Sequence, residues 1–249
     1  MIRILINGYF GRMGQIITKL CKEHDDIKVV AGVDIIHKEE PLPDGFTLYH
    51  SILDVQTPID CVIDYSSPLE TDTSRWENVL TYCLRTKVPC VICTTGLSST
   101  QLTFIQEAAK EIPVFRSANM SLGINLLQSL VETAARTLLA AGFDAEIIEK
   151  HHNQKKDAPS GTALMLADSI AKTQPDPPSY VYDRSKRSES RPKAEIGISA
   201  VRGGSIVGEH DVLFAGLDEV ITISHSAYSR EVFGNGSIQA VKFLCSQSA

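Results

Sequence analysis

The 249-residue chain is 43% hydrophobic and 22% charged, the balance of a soluble globular protein with enough length for one large or two modest domains. A formal charge of -6 excludes a general nucleic-acid partner, whose phosphates require Lys and Arg in excess. No apolar run approaches the roughly 20 residues that span a bilayer, so no membrane role is expected.

The first segment, Ile2 to Asn7, is a short apolar run ending in Gly8. It lacks the basic flank, long apolar stretch and cleavage site of a secretory signal, which points to the cytoplasm. Met13, Ile16, Ile17 and Leu20 then recur at helical spacing, and Ile27 to Asp34 forms a second apolar run. Residues 2 to 34 therefore predict a compact βαβ unit. Strands near Cys61 to Tyr65 and Val88 to Thr94 flank a helix containing Trp76, Val79 and Leu80. A helix near 99 to 110 precedes a strand at Pro113 to Ser117. Alternating helices and continuously apolar strands indicate a Rossmann-like, doubly wound parallel sheet, an α/β fold.

The pattern changes after Ser121, where Leu122 to Leu139 is a long amphipathic helix and Asp144 to His152 a strand. A helix at 162 to 172, a Pro, Ser and charge-rich loop from Thr173 to Pro192, and strand-like runs at 195 to 202, 207 to 214 and 219 to 226 follow. This order predicts a C-terminal α+β domain with an open mixed sheet. The expected division is a dinucleotide-binding domain over 1–121, completed by a C-terminal helix over 229–249, and a substrate-binding and oligomerisation domain over 122–228. Helical spacing is clearest from Ser237 to Leu244.

Six scattered cysteines in a chain of this size read as reduced thiols. Cys90 and Cys93 form a CxxC, but on a strand positions three apart face opposite sides, which disfavours a redox or metal pair. No set of ligands with zinc spacing accompanies the histidines, so no metal is expected.

Gly8-Tyr9-Phe10-Gly11-Arg12-Met13-Gly14 lies between the first strand and helix, where a dinucleotide pyrophosphate would meet backbone amides. The spacing is GxxGxxG rather than the commoner GxGxxG, and alone would also fit a tight turn. Asp34, about 20 residues on, is placed to accept from a ribose. Asp34 favours NAD, whereas His37 and Lys38 could reach a 2′-phosphate, so NADH and NADPH both stay open. Cys93-Thr94-Thr95-Gly96 and Ser117-Ala118-Asn119-Met120 sit at later strand ends, where loops face a ligand crevice or simply turn the chain.

Residues 151 to 163, His-His-Asn-Gln-Lys-Lys-Asp-Ala-Pro-Ser-Gly-Thr-Ala, put cationic side chains before a helix start and so build an anion pocket. Asp157 or Ser160 can cap that helix, and Gly161 lets a carboxylate approach its first turn. Adjacent His151 and His152 point in opposite directions on a strand, so one acts while the other orients. Lys155 is the leading proton donor, Lys156 a solvated neighbour, and Asp157 a structural partner of Lys155. Arg202 could reach a substrate carboxylate or finish a turn, whereas His210 and His225 read as packed side chains. Lys186, Arg187 and Arg191 lie in the long loop, expected to be solvated.

Together the glycine turn, the Thr-Thr-Gly loop, the thirteen-residue motif and Arg202-Gly203-Gly204 followed by Val207-Gly208-Glu209-His210 resemble the bacterial 4-hydroxy-tetrahydrodipicolinate reductase family over nearly the whole chain. The resemblance implies an NADH- or NADPH-dependent reductase of lysine and diaminopimelate biosynthesis, acting as a homotetramer on a cyclic dicarboxylate. It implies His151 and Lys155 as proton-transfer residues, and His152, Ser160, Gly161 and Thr162 on the substrate. Gly8, Tyr9, Phe10, Gly11, Arg12, Met13, Asp34, Cys93, Thr94, Thr95, Ser117, Ala118, Asn119 and Met120 would face the cofactor. Cys93, Met120 and Ser205 depart from the usual Gly, Phe and Asp, and a Cys93 side chain could narrow the nicotinamide pocket, which leaves cofactor preference open. Two alternatives remain: another NAD(P)-dependent reductase of amino or keto acids, and a non-catalytic dinucleotide sensor, which would have no use for His151 and Lys155.

Overall fold

The computed structural model describes residues 1–36, 42–67 and 74–247, so His37 and Lys38 lie outside the described residues. The chain divides into two compact units, residues 1–120 with 231–249, and residues 121–230.

The first unit runs β1 (Ile2–Asn7), α1 (Arg12–Cys21), β2 (Ile27–Val33), β3 (Thr47–Tyr49), a 3₁₀ turn (Ile52–Asp54), β4 (Cys61–Asp64), α2 (Ser74–Thr86), β5 (Cys90–Ile92), α3 (Ser99–Ala108) and β6 (Val114–Arg116). Its sheet has the order β3-β2-β1-β4-β5-β6, with all pairings parallel. Strand alternation sorts the core onto two faces. Leu5, Val62, Cys90 and Ile92 pack with Trp76, Leu80 and Ile105 of α2 and α3. On the other face Ile4, Ile6, Ile63 and Val91 pack with Ile17 of α1 and with Ile238, Val241 and Leu244 of α6 (Glu231–Gln247). Cys90 and Cys93 fall into these opposite cores, as alternation demands. α6 begins six residues before the clearest helical spacing at Ser237, because Gly234 and Gly236 dilute the apolar signal of its first turn. Those glycines permit close packing: a Cβ at Gly234 would lie 2.7 Å from Leu20 Cδ1.

The second unit consists of α4 (Leu122–Leu138), β7 (Asp144–His151), α5 (Gly161–Ala171), β8 (Ser179–Val181), β9 (Glu195–Arg202), β10 (Gly208–Ala215) and β11 (Val220–Ala227). The open sheet has the order β11-β10-β7-β9-β8; β7, β8 and β9 run parallel, and β10 and β11 pair antiparallel. One face carries Ala145, Ile147, Ile196, Ile198, Val212 and Phe214 against Ile124, Leu127 and Val131 of α4 and Ala163, Leu166 and Ile170 of α5. On β7 the buried positions are Ala145, Ile147, Glu149 and His151, so the inner face turns from apolar to ionisable at the strand's carboxyl end.

β3 and β8 have no counterpart in the sequence pattern. Each is a three-residue edge strand, too short for a periodic signal. In the loop after β8 Lys186 is exposed, as expected, whereas the arginines are tied to the sheet. Arg184 and Arg187 both reach Glu195, whose side chain is fully buried, and Arg184 also forks onto Glu146. Arg191 pairs with Asp144 and Glu146 and donates to the Ala145 and Glu195 carbonyls. Charge in this loop fastens it to the sheet, which composition alone cannot distinguish from solvation.

Candidate active site

At the carboxyl ends of β1, β2 and β4 the first unit opens a crevice of about 660 Å³. This is the point where strand order reverses on either side of β1, the usual ligand crevice of an open α/β sheet. Gly8, Phe10, Gly11, Asp34, Ile35, Tyr65, Ser66 and Ser67 contribute to its wall. Gly8 has φ +85, and a Cβ at Gly14 would lie 2.5 Å from the Gly8 carbonyl oxygen and closer still to that of Tyr9. Only glycine at these two positions allows the backbone turn that brings amides to the start of α1.

Asp34 borders the crevice with each oxygen engaged once among the described residues, Oδ2 by Phe10 N at 2.8 Å and Oδ1 by Ile36 N at 3.0 Å. A carboxylate has about four acceptor positions, so capacity for a ribose hydroxyl remains. The Tyr9 ring is buried between Phe10 and Phe46, leaving its main chain as the part near the turn. Arg12 and Met13 open α1 beside the turn, outside the crevice wall.

The later strand ends behave differently. Thr94 is buried and its hydroxyl bonds Asp64 Oδ2 at 2.6 Å and the Ser66 carbonyl at 2.9 Å. Asp64, fully buried, also accepts from Asn7 Nδ2, Ser66 and Trp76 Nε1, so it ties the ends of β1, β4 and β5 beneath the crevice. The expected narrowing of a nicotinamide pocket by Cys93 is corrected here. Its thiol turns into the core against Ser237 at 3.7 Å, and burial pushes its pKa up to about 12. Met120 is likewise buried. Thr95 follows in the same loop, and Ser117 to Met120 bend at Ala118, with Ser117 Oγ donating to the Asn119 carbonyl at 2.6 Å. None of Cys93 to Thr95 or Ser117 to Met120 lines the crevice.

In the second unit the motif of residues 151–163 closes around a side chain that lies just outside it, Glu149. Its side chain is fully buried and receives His151 Nδ1 at 2.6 Å, Arg202 Nη1 and Nη2 at 2.8 Å each, and Ser160 N at 2.9 Å. Glu149 lies two residues before His151 on the same face of β7, a period-two relation that could have identified it. Arg202 is therefore neither a free substrate ligand nor a turn residue: its guanidinium forks onto Glu149, and Nη2 also donates to the Asp157 carbonyl at 2.6 Å.

Ser160, not Asp157, caps α5, accepting from Ala163 N at 3.1 Å, and its hydroxyl is 3.0 Å from His210 Nε2. Asp157 instead pairs with Lys155 at 2.9 Å. A Cβ at Gly161 would meet nothing within 4 Å, so the start of α5 is open. Thr162 follows half-buried in the first turn, and His152 is half-buried just beyond β7 while His151 is buried. Lys156 is exposed. His225 bonds Ser121 Oγ at 3.3 Å, the packed role expected of it.

Burial pushes the His151 pKa down, outweighing the pull of Glu149, and Lys155 and Arg202 push the same way. Burial raises the Glu149 carboxyl, but Arg202, His151 and the Ser160 amide overcome it and hold it below the usual range. Burial lowers His210 to about 4. The site thus holds a neutral imidazole beside an ammonium and an open helix start, a set able to bind an anion and move a proton. Among the described residues no His, Cys, Asp and Glu group is arranged for a metal ion, and no helix is long and apolar enough to cross a membrane.

Comparison with known proteins agrees along the whole chain. Residues 2–120 match "Dihydrodipicolinate reductase, N-terminus" and residues 123–249 match "Dihydrodipicolinate reductase, C-terminus". A 4-hydroxy-tetrahydrodipicolinate reductase of Caldanaerobacter subterraneus subsp. tengcongensis is 54% identical over 99% of this chain and 94% of its own. One from Clostridium tetani is 48% identical over 98% and 92%. Among solved structures, dipicolinate-bound dihydrodipicolinate reductase from Paenisporosarcina sp. TG-14 superposes with a TM-score of 0.78 at 26% identity, covering 99% of this chain and 95% of that one. The chain is an oxidoreductase and belongs to the dihydrodipicolinate reductase family.

Proposed function

We propose that the chain reduces 4-hydroxy-tetrahydrodipicolinate to tetrahydrodipicolinate with NADH or NADPH, taking up a hydride and a proton as water leaves. The observation that carries the reading is Lys155 and His151 gathered beside the open, Ser160-capped start of α5. The TG-14 relative binds dipicolinate, a dicarboxylate of the same shape class. A nicotinamide dinucleotide suits the first unit, since Gly8 and Gly14 keep side chains out of the turn where a pyrophosphate would approach. Gly8, Phe10, Gly11 and Asp34 would hold it, with the backbones of Tyr9, Arg12, Met13, Cys93 to Thr95 and Ser117 to Met120 as further contacts. When bound, it supplies the hydride.

The protein's own groups do the rest. The opening of α5 at Gly161 and Thr162, with His152 nearby, binds a carboxylate through amides and the helix dipole. Lys155 steers the dianion and supplies the proton that balances hydride addition. Neutral His151 accepts at Nε2 and relays protons to Lys155. Lys155→Ala should lower kcat roughly 100-fold or more while the dinucleotide KM changes little. The assay follows NADH and NADPH oxidation with freshly generated substrate beside a panel of keto and amino acids; oxidation only with the panel refutes the reading. Homotetramer assembly in the cytoplasm belongs to the same proposal, supported by edge strand β11, whose Val220 and Ile221 are exposed. Light scattering in solution tests the assembly.

A further inference from the structure

We infer that Glu149, clamped by Arg202, is a positioning residue that holds His151 with its proton on Nδ1 and its Nε2 turned to the site. The inference rests on the proposed role of His151. Glu149 has no exposure, and three of its four short contacts are fixed donors, two Arg202 nitrogens at 2.8 Å and Ser160 N at 2.9 Å, while the fourth is His151 Nδ1 at 2.6 Å. An ionised carboxylate only accepts, so the Nδ1 facing it carries the hydrogen and Nε2 keeps its lone pair. Arg202 fixes the carboxylate plane by a two-nitrogen fork, and that plane fixes the ring.

The other groups around His151 agree with this orientation. Gly208 on β10 lacks a side chain where a Cβ would come within 3.1 Å of His151 Nε2, so that nitrogen stays open. His210, also on β10, stands edge-on with ring centroids 5.2 Å apart and spends Nε2 on Ser160. Lys155 in the loop and Arg202 on β9 present positive charge, and Asp157 is taken by Lys155. Glu149 also bonds Ser160 N, eleven residues ahead, so one carboxylate sets the spacing between the His151 ring and the start of α5. A carboxylate serving only the sheet would need neither contact.

The test uses the full chain. Two-bond proton–nitrogen spectra of histidine side chains at pH 7.5, with His151 assigned by a His151→Asn variant, read the tautomer directly. Wild type should show His151 protonated on Nδ1, and an Nε2-protonated ring overturns the inference without any Glu149 variant. Glu149→Gln, whose amide can donate to Nδ1, should shift His151 toward the Nε2–H form and lower kcat roughly 100-fold with dinucleotide KM within about twofold. Glu149→Asp, which keeps the charge, should recover part of kcat and the wild-type tautomer. If Glu149→Gln folds with an unchanged tautomer and kcat, the inference fails while the reductase reading stands. If the tautomer shifts but wild type does not reduce hydroxy-tetrahydrodipicolinate, the positioning role stands and the substrate assignment fails.

Discussion

Ser160 carries two duties that substitution can separate. Its hydroxyl caps α5 through Ala163 N at 3.1 Å and bonds the buried His210 Nε2 at 3.0 Å. Ser160→Ala removes both. Losing an N-cap oxygen to alanine costs about 1 kcal/mol, and stranding a buried nitrogen costs roughly 1–3 kcal/mol, a sum of roughly 2–4 kcal/mol. Ser160→Gly relieves most of the capping loss, since glycine is itself tolerated at that position, so it should cost about 1 kcal/mol less than alanine. Urea unfolding followed by circular dichroism gives both values from the midpoints at constant slope. Wild-type stability in Ser160→Gly would show that the His210 bond contributes nothing, and equal losses in the two variants would show that the cap contributes nothing.

Acid should act on the same cluster in two stages. His210 is lowered from 6.5 to about 4, so the unfolded chain binds a proton there first, and stability falls by roughly 3 kcal/mol as pH drops across that window. His210→Asn should flatten this stage, and an unchanged midpoint-versus-pH curve would refute the assignment. Glu149, lowered in the folded state, contributes stability above the ordinary carboxylate range, and that contribution disappears as pH falls through its depressed value. Gly14→Ala puts a Cβ 2.5 Å from the Gly8 carbonyl oxygen, so it should abolish dinucleotide binding in a fluorescence titration; wild-type affinity would contradict the proposed turn. Glu195→Ala releases Arg187 and leaves Arg184 held by Glu146 alone, so trypsin should cut the loop after β8 at Arg187 many times faster than in wild type while native-state cleavage elsewhere is unchanged.

Both sheets were visible in the sequence because their central strands are long or continuously apolar and their helices carry a 3.6-residue period. The glycine turn and the capped motif at 151–163 were visible for a related reason: glycine, serine and adjacent histidines leave local signatures. Glu149 has little local signal because two of its partners lie eleven and fifty-three residues away, and Ile148 beside Ile147 blurs the alternation that places it on the inner face with His151. Arg202 fits two roles in the sequence for the same reason, and Arg187 and Arg191 resemble solvated charges because their partners lie on other strands. The direction of Cys93 is not legible because the residue after a strand can turn either way, and only the packing of α6 decides which.

The closing role of α6 bears on how the protein assembles during synthesis. Ile238, Val241 and Leu244 cover the face of the first sheet that presents Ile4, Ile6 and Ile63, yet α6 is translated only after the whole of the second unit. A nascent chain therefore carries an uncovered apolar sheet face throughout the time the second unit is being made. The inserted unit, whose core is contiguous in sequence, can reach its native state first, and the unit that begins the chain is completed last. Chaperone demand should concentrate in that interval, on the half of the protein that emerged earliest.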